Sequence, residues 1–132
     1  MATPGKGVVL DTSIVVRHFR DGNALASRFA GFEELYLPQP ALAELYAGAF
    51  HSARPEKNVQ QIERFLEAVD VLPSDEATPE LYGRIFAQLA QAGTLIPQND
   101  IWIAAIALQS GLPLATGDNH FQHVAGLQLL RW

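Results

Sequence analysis

The sequence predicts a single α/β domain whose largely parallel central sheet carries helices on both faces. Short runs of branched apolar residues alternate with longer amphipathic segments along the 132 residues, an order typical of parallel strands joined by helices. No repeat, low-complexity stretch or long linker divides the chain. We therefore expect one domain over residues 1–132, with residues 1–6 flexible, and a chain of this length can bury a sufficient core.

The first half of the chain predicts two strands and three helices. The run GVVL at 7–10 suits a strand covered on both faces. Apolar residues then recur at helical spacing over 12–20, and a second helix is expected within 22–32. A short strand at 35–37 ends at a proline, and helical spacing resumes over 40–50.

The second half continues the alternation. Helical spacing recurs over 56–69 and over 76–92, where Gly93 is a plausible stop. The segment 99–110 is apolar on every side, which predicts a buried helix closed by Gly111. The remaining short elements are a strand in VDVLP (69–73), a strand in LPLAT (112–116), a turn at GDNHF (117–121) and a strand in LQLL (127–130).

Composition narrows the classes of protein. The chain has no cysteine, which excludes disulfides, thiolate zinc sites and cysteine nucleophiles. No apolar run approaches the roughly 18 residues of a membrane helix, and no secretory leader is evident, so we expect a soluble cytoplasmic protein. The net charge of −5 argues against a basic nucleic-acid coat, but not against a nuclease whose acidic site binds metal ions.

Four acidic residues stand in unusual surroundings: Asp11, Glu44, Asp100 and Asp118. Each has an ordinary explanation. Asp11 can cap the helix that follows it, and Glu44 can lie at the boundary of a surface helix. Asp100 suits the first turn of its helix through the helix dipole, and Asp118 suits a turn.

Taken together, three of these acids fall where a parallel sheet binds ligands. Asp11 ends the first strand, Asp118 follows the strand in LPLAT, and Asp100 begins the helix that precedes that strand. Ligands bind beyond the carboxyl ends of such strands. Two carboxylates about 4 Å apart repel by on the order of 4 kcal/mol at an effective dielectric constant near 20. The cluster must therefore bind protons or cations, and oxygen ligands favour Mg²⁺ or Mn²⁺.

The motifs VVLDTSIVV, NDIWIAAIAL and LATGDNHF, with the helix around Glu44, resemble the acidic motifs of PIN-domain ribonucleases. The most similar subgroup is the VapC-type toxins of bacterial toxin–antitoxin pairs, and the resemblance runs from Val8 to Leu130. It implies a PIN-like nuclease domain that hydrolyses RNA phosphodiester bonds with Mg²⁺ or Mn²⁺. It also implies a VapB-type antitoxin as partner, a homodimer and no membrane association.

The resemblance also implies roles for individual residues. Asp11, Glu44, Asp100 and Asp118 correspond to the catalytic quartet, in which Asp11 and Asp100 hold the principal metal ion. Among the supporting residues, Ser13 and Thr116 can orient a carboxylate or a metal-bound water, and Thr12 matches a small hydroxyl position beside Ser13. The candidates for contact with RNA are Arg17, Arg20 and His120. His18 lies on the inner face of its helix, which favours a packed histidine over a catalytic one.

Two other classes of protein remain open on the sequence alone. A phosphohydrolase of the haloacid-dehalogenase kind also begins with a strand followed by an aspartate, but it requires a second acid at the position of Ser13. The other alternative is a catalytically inactive PIN-fold binding module, against which the four intact acids argue.

Overall fold

The fold was analysed in a computed structural model that describes residues 6–132. Its elements are β1 (Gly7–Leu10), α1 (Thr12–Arg20), α2 (Ala26–Phe29), β2 (Glu34–Pro38), α3 (Gln39–Phe50), α4 (Pro55–Phe65), β3 (Asp70–Leu72), α5 (Thr78–Ala92), α6 (Gln98–Ser110), β4 (Leu114–Thr116), a 3₁₀ helix (His120–His123) and β5 (Leu129–Arg131). The flexibility expected at residues 1–6 falls almost entirely outside the described residues. Lys6 is anchored, since its carbonyl accepts the Glu33 N–H at 3.1 Å.

The five strands form one parallel sheet in the order β3-β2-β1-β4-β5, which confirms the predicted fold class. β1 is central because its side chains are apolar and it is buried along its whole length. From β1 the chain builds β2 and β3 on one side and then crosses to place β4 and β5 on the other. The strand order thus reverses between β1 and β4, the point at which such sheets form a ligand crevice.

The pairing of β1 with β4 determines which residues meet at this crevice. Val9 pairs with Leu114 and Leu10 with Ala115. The Asp11 N–H then donates to the Ala115 carbonyl at 3.0 Å. Asp11 and Thr116, one residue beyond the last pair, therefore lie side by side where the two strands end.

The apolar segment α6 is a core helix, as predicted. Six of its residues are buried: Ile101, Ile103, Ala104, Ala105, Ile106 and Ala107. Gly93 and Gly111 end α5 and α6 with φ of 71° and 73°, a left-handed conformation that glycine adopts without steric cost. None of the helices within residues 6–132 is long and apolar enough to cross a membrane.

His18 is a packed histidine, as its position on α1 predicts. Its side chain is buried, and its ring centroid lies 4.7 Å from that of Phe29. Its Nδ1 accepts the Leu25 N–H at 3.2 Å, which identifies this nitrogen as unprotonated. Burial lowers the pKa of the imidazole, so the ring is neutral in this setting.

The helix expected within 22–32 is confirmed as the single turn Ala26–Phe29. Other local predictions differ in detail from the structure. The helix expected over 56–69 ends at Phe65, because residues 66–69 turn so that the chain can enter β3. The turn expected at 117–121 continues into the 3₁₀ helix His120–His123, which is held by the fully buried side chain of Phe121.

Candidate active site

Asp11 is a buried carboxylate at the end of β1, with 3% of its surface exposed. Its side chain makes no capping hydrogen bond to α1. Instead its Oδ2 accepts the Ser13 hydroxyl at 2.7 Å and the Thr116 hydroxyl at 2.8 Å. The capping explanation of Asp11 is therefore set aside, because its side chain joins the ends of β1 and β4.

The two hydroxyls that orient Asp11 also anchor the loop after β4. Thr116 Oγ1 accepts the Asp118 N–H at 2.9 Å, and Ser13 Oγ accepts the Gly117 N–H at 3.3 Å. Each hydroxyl thus donates to the carboxylate and accepts from the loop backbone. The positions of Asp11 and Asp118 are consequently coupled through Ser13 and Thr116.

Asp100, Asp118 and His120 form a cluster of ligating side chains. His120 Nδ1 lies 2.9 Å from Asp100 Oδ2 and 3.2 Å from Asp118 Oδ1. Asp118 Oδ1 also accepts the His120 N–H at 3.0 Å. One ligating atom from each of the three residues lies within 4.8 Å of the other two.

The pKa values of Asp11, Asp100 and His120 indicate that negative charge at this site is unfavourable. Burial raises the pKa of Asp11, more than its hydroxyl partners lower it, and the Asp118 charge raises it further. Burial also raises the pKa of Asp100, and the charges of Asp11 and Asp118 act in the same direction. The hydrogen bond to Asp100 raises the pKa of His120. All three shifts favour proton or cation binding at the cluster.

The donor set fits a divalent cation. Within residues 6–132 no lysine or arginine forms an ion pair with Asp11, Asp100 or Asp118. Among the described residues His120 alone pairs with Asp100 and Asp118, and it offsets their charge only when its imidazole is protonated. Partly buried carboxylates converging without a protein cation are the chemistry that a hard metal ion stabilises.

Glu44 lies at the rim of the site and is exposed. Its Oε1 accepts the Thr12 hydroxyl at 2.9 Å and the Asn99 amide at 2.7 Å. These donors are the chain neighbours of Asp11 and Asp100, so Glu44 is linked to both carboxylates through one residue each. The structure brings Glu44 to the site, but not into the group formed by Asp100, Asp118 and His120.

Sequence reasoning assigned no role to Asn99. Its side-chain amide donates both to Glu44 and to the Pro40 carbonyl, at 2.7 and 3.2 Å, and so fastens the start of α6 to α3. The sequence signal that could have identified Asn99 is its position directly before Asp100 in the first turn of α6. Its partners lie 55 and 59 residues away, which no local pattern reveals.

The two candidate arginines differ in position. An Arg17 guanidinium nitrogen lies against Gly117, 3.4 Å from where a Cβ would stand, which places it beside the loop that carries Asp118. Arg20 is exposed, and its Nε pairs with Asp21 at 3.1 Å. Arg17 is consequently the better placed of the two to contact a phosphate near the carboxylates.

A groove of about 300 Å³ adjoins the site between α1, α3 and α4. Its lining combines apolar side chains with polar groups that include Glu44 and Arg20. The apolar residues are Val16, Phe19, Leu45, Ala49 and Ile62. Since Glu44 belongs both to the groove and to the rim of the site, the groove reaches the rim of the acidic site.

Comparisons with known proteins agree with this geometry. The family model for the PIN domain matches residues 8–127. The chain is 36% identical over 129 residues to Ribonuclease VapC2 of Haemophilus influenzae, covering 94% of this chain and 96% of that protein. It is 34% identical to the tRNA(fMet)-specific endonuclease VapC of Shigella flexneri, with the same coverage. The structure of VapBC-1 from nontypeable Haemophilus influenzae is similar with a TM-score of 0.86 and 31% identity, covering 96% of this chain and 98% of that one. The chain therefore belongs to the PIN-domain family and, within it, to the VapC ribonucleases of toxin–antitoxin pairs.

Proposed function

We propose that this ribonuclease hydrolyses RNA phosphodiester bonds at the carboxylates Asp11, Asp100 and Asp118, with Mg²⁺ or Mn²⁺ as cofactor and Glu44 at the rim. The observation that carries the proposal is the convergence of the three aspartates. They come from the end of β1, the start of α6 and the loop after β4, and burial or neighbouring charge raises the pKa of Asp11 and Asp100. A phosphohydrolase of the haloacid-dehalogenase kind is set aside by the match to the PIN family.

Each side chain has a distinct part in the proposed mechanism. Asp100 and Asp118 would hold the ion, and Asp11, fixed by Ser13 and Thr116, would hold it from the side of β1. A bound divalent ion lowers the pKa of water and offsets the charge that develops on the phosphate. Glu44, fixed by Thr12 and Asn99, is placed to orient a water at the rim.

Removal of divalent metal is expected to reduce RNA cleavage at least about a hundredfold, because water without a metal ion is a poor nucleophile at neutral pH. The assay incubates the purified full chain with a labelled tRNA(fMet), chosen because the Shigella flexneri relative is specific for that RNA. The reaction is run in EDTA and again after Mg²⁺ or Mn²⁺ is restored, and the products are resolved on a denaturing gel.

Cleavage that persists in EDTA would contradict metal dependence. Absence of cleavage with either metal, on tRNA(fMet) and on total RNA, would instead favour the inactive binding module. Asp100→Asn serves as the control for contaminating nuclease, because cleavage that survives in this variant does not come from the proposed site.

Arg17 is proposed to contact an RNA phosphate beside Asp118. With a net charge of −5, the protein has to attract RNA through local cations. In an Asp100→Asn background that prevents turnover, Arg17→Gln should weaken binding of tRNA(fMet) and reduce the slope of log K against log salt by about 0.7–0.9, as for one lost phosphate contact. Fluorescence anisotropy at several salt concentrations measures both quantities.

Arg84→Gln is the matched control, because Arg84 is exposed on α5 and pairs with Glu80. An equal loss in the two variants would show only the effect of net charge. A salt slope unchanged by Arg17→Gln would remove Arg17 from the proposed RNA contact. Arg20→Gln, tested in parallel, is expected to have the smaller effect because of its ion pair with Asp21.

The groove beside Glu44 is proposed to receive a segment of a VapB-type antitoxin. The relative from nontypeable Haemophilus influenzae was solved as VapBC-1, and the groove has an apolar floor that ends at an acidic rim. An apolar antitoxin segment followed by an arginine would match both parts, since a guanidinium pairs well with carboxylates. We also propose that the protein is cytoplasmic and forms a homodimer. Light scattering of the free chain measures its oligomeric state.

A further inference from the structure

The geometry of the acidic cluster points to a metal ligand outside the four acids. We infer that His120, through Nδ1, binds the metal ion directly with Asp100 and Asp118, and that this nitrogen makes the site prefer Mn²⁺ over Mg²⁺. The inference rests on the proposed metal-dependent function and goes beyond it, because it assigns a ligand and a metal preference to a histidine otherwise considered for contact with RNA.

The distances from His120 to the two carboxylates match the spacing of neighbouring ligands in an octahedron. A metal ion with ligands at 2.0–2.1 Å holds neighbouring ligand atoms about 3.0 Å apart. His120 Nδ1 lies 2.9 Å from Asp100 Oδ2 and 3.2 Å from Asp118 Oδ1. A single ion can therefore bridge His120 and each carboxylate, and a ligand atom of Asp100 lies within 4.8 Å of one of Asp118.

The position of His120 is determined by the fold. Phe121, the next residue, is fully buried, and the 3₁₀ helix that carries both residues packs against α6, the helix that carries Asp100. The His120 N–H is held by Asp118 at 3.0 Å. The imidazole has 46% of its surface exposed, and its Nδ1 faces the carboxylates. This exposure suits a metal-bound histidine whose other ring nitrogen is hydrogen-bonded to water.

A nitrogen ligand changes which ion the site prefers. Mg²⁺ takes oxygen ligands and retains its waters, whereas imidazole suits first-row transition ions. One imidazole nitrogen among the aspartate oxygens therefore biases the site away from Mg²⁺. His120→Asn replaces the imidazole nitrogen with an amide oxygen at a similar distance from the backbone. The variant therefore tests whether a nitrogen ligand is required, while the side chain remains polar.

The experiment measures Mn²⁺ binding to the purified full chain labelled with ¹⁵N-histidine, without RNA. Pulsed EPR is expected to show coupling of Mn²⁺ to a histidine nitrogen in the parent and to lose it in His120→Asn. Calorimetry is expected to show a Mn²⁺-to-Mg²⁺ affinity ratio about tenfold lower in His120→Asn, in line with the usual cost of disturbing a ligand set. His123→Asn is the control, since His123 is exposed on the same 3₁₀ helix.

The outcomes separate the inference from the proposed function. Mn²⁺ that binds with no histidine coupling, or with coupling that survives His120→Asn, would overturn the ligand assignment while the acidic site stands. An unchanged Mn²⁺-to-Mg²⁺ ratio would overturn the metal preference. Mn²⁺ binding that is absent, or unaffected by Asp100→Asn, would overturn the metal site itself and the inference with it. Circular dichroism of each variant excludes unfolding as the cause.

Discussion

Asp11→Asn should give a protein that is more stable than its parent in the absence of metal, yet cleaves RNA about a thousandfold more slowly. The loss of activity follows from removing a charge worth several kcal/mol to the transition state, where about 4 kcal/mol corresponds to a thousandfold. The gain in stability follows from burial, since Asp11 is 3% exposed and its ionised form is desolvated. The amide oxygen of asparagine can still accept the Ser13 and Thr116 hydroxyls.

The stability gain should depend on pH in a defined direction. The pKa of Asp11 is raised in the folded state, mainly by burial. A raised carboxyl pKa means that the folded protein binds the proton more tightly than the unfolded chain, so stability falls as pH rises from the unfolded value, about 4, through the folded value. Asp11→Asn removes this loss. Its advantage should be full at neutral pH and shrink on acidification toward pH 4.

Thermal unfolding of both proteins in EDTA between pH 4 and 8, with initial rates on tRNA(fMet) at pH 7, measures the two effects. Glu67→Gln is the control for charge, because Glu67 is an exposed acid after α4. A variant that is inactive and also less stable at pH 7 would show that the ionised Asp11 holds the ends of β1 and β4 together. A variant with normal activity would remove Asp11 from the site.

Phe121→Ala is expected to lower the free energy of unfolding by about 3–5 kcal/mol, the usual cost of deleting a buried aromatic ring. Phe121 is among the largest fully buried side chains and joins the main core from the 3₁₀ helix. The loop that carries Asp118 and His120 should lose its anchor with it. We therefore expect weaker Mn²⁺ binding in this variant even at temperatures where it is folded.

Urea unfolding gives the stability change, and calorimetry at low temperature gives the Mn²⁺ affinity. Phe50→Ala is a control of the same residue type, because Phe50 is 67% exposed; it should cost less than about 1 kcal/mol, as for most surface substitutions. Equal costs in the two variants would contradict the anchoring role of Phe121. A destabilised Phe121→Ala protein with parental Mn²⁺ affinity would show that the loop holds its shape without the core.

The fold was predictable because its elements are marked by local chemistry. The apolar segment of α6, the strand in GVVL and the glycines that end α5 and α6 each specify their own structure within a few residues. The end of α4 was not marked in this way. Leu66 and Val69 continue the helical spacing of that segment, and what stops the helix is the requirement that Asp70–Leu72 pair with β2.

The candidate site was predictable only in part. The acids Asp11, Asp100 and Asp118 are identified by the ends of the elements that carry them, and the sheet order then brings those ends together. The contacts that orient the acids join residues far apart in the chain, such as Glu44 and Asn99, and follow no periodicity. The approach of His120 to Asp100 likewise depends on a 3₁₀ helix that the sequence suggested only as a turn.

The hydrogen bond from Thr116 to Asp11 spans 105 residues and links the first strand to the fourth. A polypeptide that ends between Asp11 and Thr116 contains the first acid but lacks the Thr116 hydroxyl, Asp118 and His120. We therefore expect chains that end before β4 to be unable to cleave RNA, because the proposed site is completed only when β4 pairs with β1.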